Sequence, residues 1–292
     1  MQNVTPAAIT ALALELAPAV AFALAAERIA RSVHRWAVTA RIFLPALYVL
    51  PYVVVSIPQH IFRWQWFALY AGLPVVIAWL LEQAAASDAE QRGNWRDAII
   101  LLILGLAVDL RWFDTAWPTG LRVLNELLLV DIGLYGFLAI RQLSGAGFDF
   151  HLRWSDWKTG LRELLFFTPV VLILGWSLGF IHPHANLPPA GTAALRWAGI
   201  FLFTALPEEL FFRSWVQNLL ERRLGRRSAL VIASALFGLS HFNKRSAHFN
   251  WRYVMLATIA GIFYGRAWRE RRRVPASTIT HASVDWIWGL WF

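Results

Sequence analysis

Leu206-Pro207-Glu208-Glu209-Leu210-Phe211-Phe212-Arg213 lies inside an apolar segment that runs from Trp197 to Leu220. Two adjacent carboxylates and an arginine in such surroundings are costly to desolvate, and chains keep them where they are used. Pro207 has no N–H to donate and clashes with the preceding turn. A kink or a new half-helix is therefore expected there. It would put both glutamates in a first turn, where free N–H groups and the helix dipole favour negative charge. Glu209 and Arg213 are four apart, so they share a helix face and pair. Glu208 is turned by about 100° and points elsewhere. The two acids are thus separated: Glu209 and Arg213 brace each other, and Glu208 is free for a cavity. A purely structural ion-pair network is the competing reading of this stretch.

The rest of the chain points to a membrane. Of its 292 residues, 58% are hydrophobic and 15% charged, and the mean hydropathy is +0.49. Soluble domains hold about 45–50% apolar and about 25% charged residues. The 17 tryptophans agree, since Trp gathers at membrane interfaces. A span takes about 20 residues. Ten apolar segments can be marked, at 7–26, 42–58, 66–81, 98–110, 123–140, 164–181, 197–220, 228–242, 253–268 and 276–292. The expected fold is all-α, a polytopic transmembrane helical bundle of eight to ten spans. Ala23-Leu24-Ala25 resembles a signal-peptide cleavage site, but no Lys or Arg precedes it, so the first segment is read as a retained helix. Basic residues concentrate in alternate connections, such as 221–227 and 266–273, which places the N-terminus outside.

The absence of cysteine excludes disulfides, thiolate metal sites and a cysteine nucleophile. The net charge of +9 fits basic cytoplasmic loops facing anionic lipid, with no nucleic-acid partner. The Ala/Arg/Trp-rich composition points to a multi-pass protein of a bacterial inner membrane. The polar connection 144–163 separates an N-terminal accessory region, 1–160, from a region carrying the chemistry, 161–292. Glu126 and Asp131 are expected to be structural groups facing the bundle. His182-Pro183-His184 reads as a solvated loop.

Two later pieces accompany the opening stretch: Phe237-Gly238-Leu239-Ser240-His241 and His281-Ala282-Ser283-Val284-Asp285. Each sets its first and last residues four apart, on one helix face. A carboxylate near a histidine activates water, and a second histidine stabilises an oxyanion or protonates a leaving amine. Three successive apolar elements presenting such groups predict hydrolysis of an acyl bond, most naturally a peptide bond, in or near the membrane.

Together the three pieces resemble the motifs of the CPBP family, the CAAX proteases and bacteriocin-processing enzymes, which includes the type II prenyl-protein endopeptidases. Its pattern is E-E-x-x-x-R, F-x-x-x-H and H-x-x-x-N or D on successive helices. The resemblance covers roughly 195–292; the first 160 residues carry none. It implies an all-helical, glutamate-type intramembrane endopeptidase. Glu208 and His241 would activate water, and His281 and Asp285 would contact the oxyanion. Glu209, Arg213 and Phe237 would support the site. One departure stands out. Asn donates to an oxyanion, whereas an ionised Asp does not. Asp285 must then be protonated, orient His281 or ligate a metal. The expected substrate is a membrane-embedded or lipid-anchored protein or peptide, and no cofactor is expected. The alternative is a zinc-dependent version with Glu208, His241, His281 and Asp285 as ligands, although no H-E-x-x-H occurs. Two other classes compete. One is a non-catalytic immunity or scaffold protein of the membrane. The other is a proton-relay transporter, which would call for an internal repeat; none is visible.

Overall fold

The computed structural model describes residues 5–149, 151–184, 187–244 and 248–292, and all regular structure among them is helical. Ten helices can be followed: α1 (Pro6–Val33), α2 (Val38–Ser56), α3 (Trp64–Ser87), α4 (Trp95–Asp109), α5 (Val123–Ile140), α6 (Trp154–Ser177), α7 (190–224), α8 (226–239), α9 (Trp251–Arg271) and α10 (Val274–Trp291). Each of the ten expected apolar segments is largely helical. Among the described residues, five helices are long and apolar enough to cross a membrane: α1, α2, α3, α5 and α6. α4 has only 15 residues, and charged groups interrupt the apolar runs of α7 and α9. The chain forms two compact units, Met1–Ser144 and Gly145–Phe292.

In the first unit, α1 packs on α2 and α5, and α3 packs on α2, α4 and α5. Glu15 of α1 and Asp131 of α5 are buried at 2% and 1% exposure. None of their four carboxylate oxygens has a hydrogen-bond partner among the described residues. Asp131 faces inward as expected, but Glu126 is exposed. The two are five residues apart, about 140° around a helix, and so occupy different faces.

The second unit carries the motifs. Of the two outcomes expected at Pro207, a kink or a new half-helix, the new half-helix is absent. α7 begins as Ala190–Ile200, widens into π-type turns at Phe201–Ala205, passes one α-turn at Leu206–Glu209 and widens again at Leu210–Gln217. The wider turns around Pro207 accommodate its missing donor without ending the helix. Glu208 and Glu209 therefore sit in the middle of a continuous helix, and no free helix N-terminus stabilises them. The chain turns only at Gly225, with φ 76° and ψ 168°.

α8 and α9 approach closely enough that a side chain at Gly238 would meet Thr258 Oγ1 at 1.9 Å and the Val254 carbonyl at 2.5 Å. The gap between α9 and α10 is closed by Arg272 in the left-handed region, with φ 51°. Arg273 follows and is clamped by Asp156 at 2.7 Å and Asp149 at 2.5 Å. This clamp fixes the start of α10 and hence the height of His281. An aromatic core of Phe167, Phe212, Phe237 and Tyr264 with Ala257 and Ala260 lies beneath the motif residues.

Candidate active site

Glu209 is fully buried and holds two partners at once. Its Oε2 accepts from Arg213 Nε at 2.9 Å, and its Oε1 lies 2.9 Å from His281 Nδ1. A carboxylate only accepts, so Nδ1 of His281 carries a proton. The expected brace between Glu209 and Arg213 is present. Glu209 also orients the histidine of the third motif, which the spacing did not reveal. The Arg213 guanidinium is fully buried and rests over the Phe237 ring at 5.3 Å.

Glu208 leaves the helix in another direction. Its Oε1 is 3.6 Å from Lys244 Nζ, and its side chain is 24% exposed. Its Oε2 is enclosed, has no hydrogen-bond partner among the described residues and lies 3.9 Å from His281 Nε2. Asp285 Oδ2 approaches the same nitrogen at 3.5 Å. One imidazole thus faces Glu209 on one edge and both Glu208 and Asp285 on the other.

The His281 ring is held between aromatic walls. Tyr264 stacks on it at 4.5 Å with 16° between the planes, and Phe237 meets it edge-on at 5.5 Å. His241 follows the end of α8. Its Nδ1 lies 2.9 Å from the Phe237 carbonyl; a carbonyl only accepts, so Nδ1 is the donor and, in the neutral ring, Nε2 is left as an acceptor. Its ring packs against Phe237 at 4.9 Å and Tyr253 at 4.8 Å. No hydrogen bond joins His241 to Glu208 among the described residues, but the two lie within electrostatic range of each other. His241, Tyr264, His281 and Asp285 line one apolar cavity between α6, α9 and α10.

The structure therefore gathers Glu208, Glu209, Phe237 and Asp285 around the His281 imidazole, with Arg213 behind Glu209, and sets His241 on the cavity that His281 lines. Residues 190–287 match the Rce1-like family of type II CAAX prenyl endopeptidases. No curated protein and no solved structure matches the chain. The Rce1-like segment contains all three motifs and covers α7, α8, α9 and most of α10, and it supports a CAAX-type intramembrane protease in an integral membrane protein.

The Rce1-like segment also contains site residues that the sequence did not single out. Lys244 is three residues past His241 and reaches Glu208 Oε1 at 3.6 Å. Tyr264 sits on α9, between the second and third motifs. Among the described residues no three His, Asp or Glu side chains form a group able to hold a metal ion. Nδ1 of both motif histidines is engaged, by the Phe237 carbonyl and by Glu209, which leaves Nε2 as the nitrogen open on each ring, and no step below is routed through a metal.

Proposed function

We propose that the protein is a glutamate-type intramembrane endopeptidase that cleaves a peptide bond in a membrane-embedded or lipid-anchored substrate. One observation carries this reading: the two adjacent glutamates differ in occupancy. Glu209 is saturated by Arg213 and His281, whereas Glu208 keeps an enclosed, unpartnered oxygen facing His281. Glu208 is therefore the group placed to take a proton from water. The hydroxide attacks the scissile carbonyl carbon, and the carbonyl electron pair moves onto oxygen. When the C–N bond breaks, the proton on Glu208 passes to the departing amine. His241, with Nε2 as acceptor, helps to position the water. Glu209 and Arg213 hold His281 in place, and His281 and Asp285 lie beside the developing oxyanion.

The test uses purified full-length protein in vesicles with a farnesylated peptide ending in a CAAX sequence. Glu208→Gln should abolish release of the C-terminal tripeptide while the protein still inserts and keeps its unfolding temperature. Cleavage by the Gln variant at the unaltered rate would remove Glu208 from the chemistry. A peptide left intact by the unaltered protein would favour the non-catalytic reading.

A further inference from the structure

Asp285 creates a specific chemical gap. In the reading above, which this inference rests on, the oxyanion needs donors. A carboxylate at 285 offers none, and the Nδ1 proton of His281 is committed to Glu209 at 2.9 Å, which leaves only its Nε2 edge, shared with Glu208 and Asp285. A hydroxyl stands beside this gap. Tyr264 is 2% exposed and is locked by its stack on His281 at 4.5 Å and by edge contacts to Phe237 at 5.7 Å and Phe167 at 6.5 Å. Its ring is held from several sides, yet its hydroxyl makes no hydrogen bond with any of the described residues, and the residue lines the cavity shared by His241, His281 and Asp285. Its phenol oxygen lies within electrostatic range of Asp285, Glu209 and Glu208. A buried tyrosine hydroxyl usually finds a partner. Here the residue lines a cavity, where a group that enters can take the hydroxyl's proton as a hydrogen bond.

We infer that Tyr264 is a catalytic residue, its phenol donating a hydrogen bond to the tetrahedral oxyanion in place of the donor that Asp285 lacks. As water adds to the carbonyl carbon, its proton goes to Glu208 and the carbonyl oxygen becomes the oxyanion. The Tyr264 O–H hydrogen-bonds this oxygen and keeps its own proton. On collapse the C–N bond breaks and the amine takes the proton from Glu208, so Tyr264 ends the cycle unchanged. The donor is preorganised by the aromatic stack, and such a group costs no reorganisation at the moment of reaction.

The test is Tyr264→Phe, which keeps the stack and removes only the hydroxyl, assayed on the farnesylated CAAX peptide beside Glu208→Gln. The expected result is a fall in kcat of about 100-fold with KM within about twofold, the signature of an interaction made only in the transition state. Adding Asp285→Asn supplies an amide donor, so the penalty for Tyr264→Phe should shrink to less than about tenfold in that background. Replacing Tyr264 by fluorinated tyrosines should shift kcat with the acidity of the phenol, which keeps the test open if the Phe variant folds poorly. A Tyr264→Phe protein with unaltered kcat overturns the assignment, as does an equal loss in both backgrounds. If Glu208→Gln is inactive while Tyr264→Phe is fully active, only the Tyr264 assignment falls. An active Glu208→Gln removes the base reading instead. An unaltered protein that leaves the peptide intact refutes both.

Discussion

Glu209→Gln is the perturbation that most directly probes the architecture of the site. The carboxylate is the only hydrogen-bonded counter-charge of Arg213 among the described residues, and both side chains are fully buried. With an amide at 209, the guanidinium keeps a single neutral acceptor and its contact with Phe237 at 5.3 Å. That cation–π contact is worth about 2 kcal/mol when desolvated. Removing one partner of a buried ion pair costs about 3–5 kcal/mol, because the remaining charge stays uncompensated. For a chain of 292 residues that corresponds to a fall of about 5–8 °C in unfolding temperature. The assay is thermal unfolding of the detergent-solubilised protein, followed by tryptophan fluorescence. The double variant Glu209→Gln/Arg213→Met leaves no buried charge in the pair and should recover most of the loss. A drop of only a couple of degrees in the single variant, or a double variant no better than the single, would refute the claim that the pair is one electrostatic unit. The single variant also frees Nδ1 of His281, so its activity should fall even at temperatures where it remains folded.

Other outcomes follow from the same geometry. Gly238→Ala should destabilise the second unit by about 1–3 kcal/mol through overpacking, since its Cβ would meet Thr258 Oγ1 at 1.9 Å and the Val254 carbonyl at 2.5 Å; adding Thr258→Ala relieves only the first clash, and unfolding temperature should recover partly. Asp131→Asn should leave unfolding temperature unchanged or raised, because neither oxygen of Asp131 has a hydrogen-bond partner to lose. Burial raises the pKa of Asp149, but its bonds to Arg273 outweigh that and hold the carboxyl below its usual range. A depressed folded value contributes stability that is fully present above the unfolded pKa of about 3.9 and is lost as pH falls through the folded value. Unfolding temperature measured between pH 6 and pH 3 should therefore fall less steeply in Asp149→Asn than in the unaltered protein.

The site was legible where one helix carries both partners. Glu209 with Arg213, Phe237 with His241 and His281 with Asp285 each lie four residues apart, and helical geometry alone puts each pair on one face. Contacts made across helices were not legible. The bond between Glu209 and His281 depends on how α7 and α10 are set against each other, through the clamp of Arg273 and the close approaches of α8 to α9. Lys244 and Tyr264 carry no local pattern that separates them from other loop cations and buried aromatics. Pro207 starts no new half-helix, for a different reason. The rule that proline breaks a helix assumes α-helical spacing, and the chain instead widens its turns on both sides. Glu126 and Asp131 were both expected to face the bundle, although their angular separation on one helix was available from the sequence.

The stacked imidazole of His281 has a consequence for how protons travel. Its ring is clasped by Tyr264 on a face, by Phe237 on an edge and by an acid at each nitrogen. Turning it over would break the stack and the bond to Glu209 together. The ring therefore stays in place through turnover with its Nδ1 proton held on Glu209, while water and the Glu208 carboxyl carry the proton that moves. The held proton, shut away from solvent on the Nδ1 side, should give a slowly exchanging, far-downfield resonance that vanishes in Glu209→Gln.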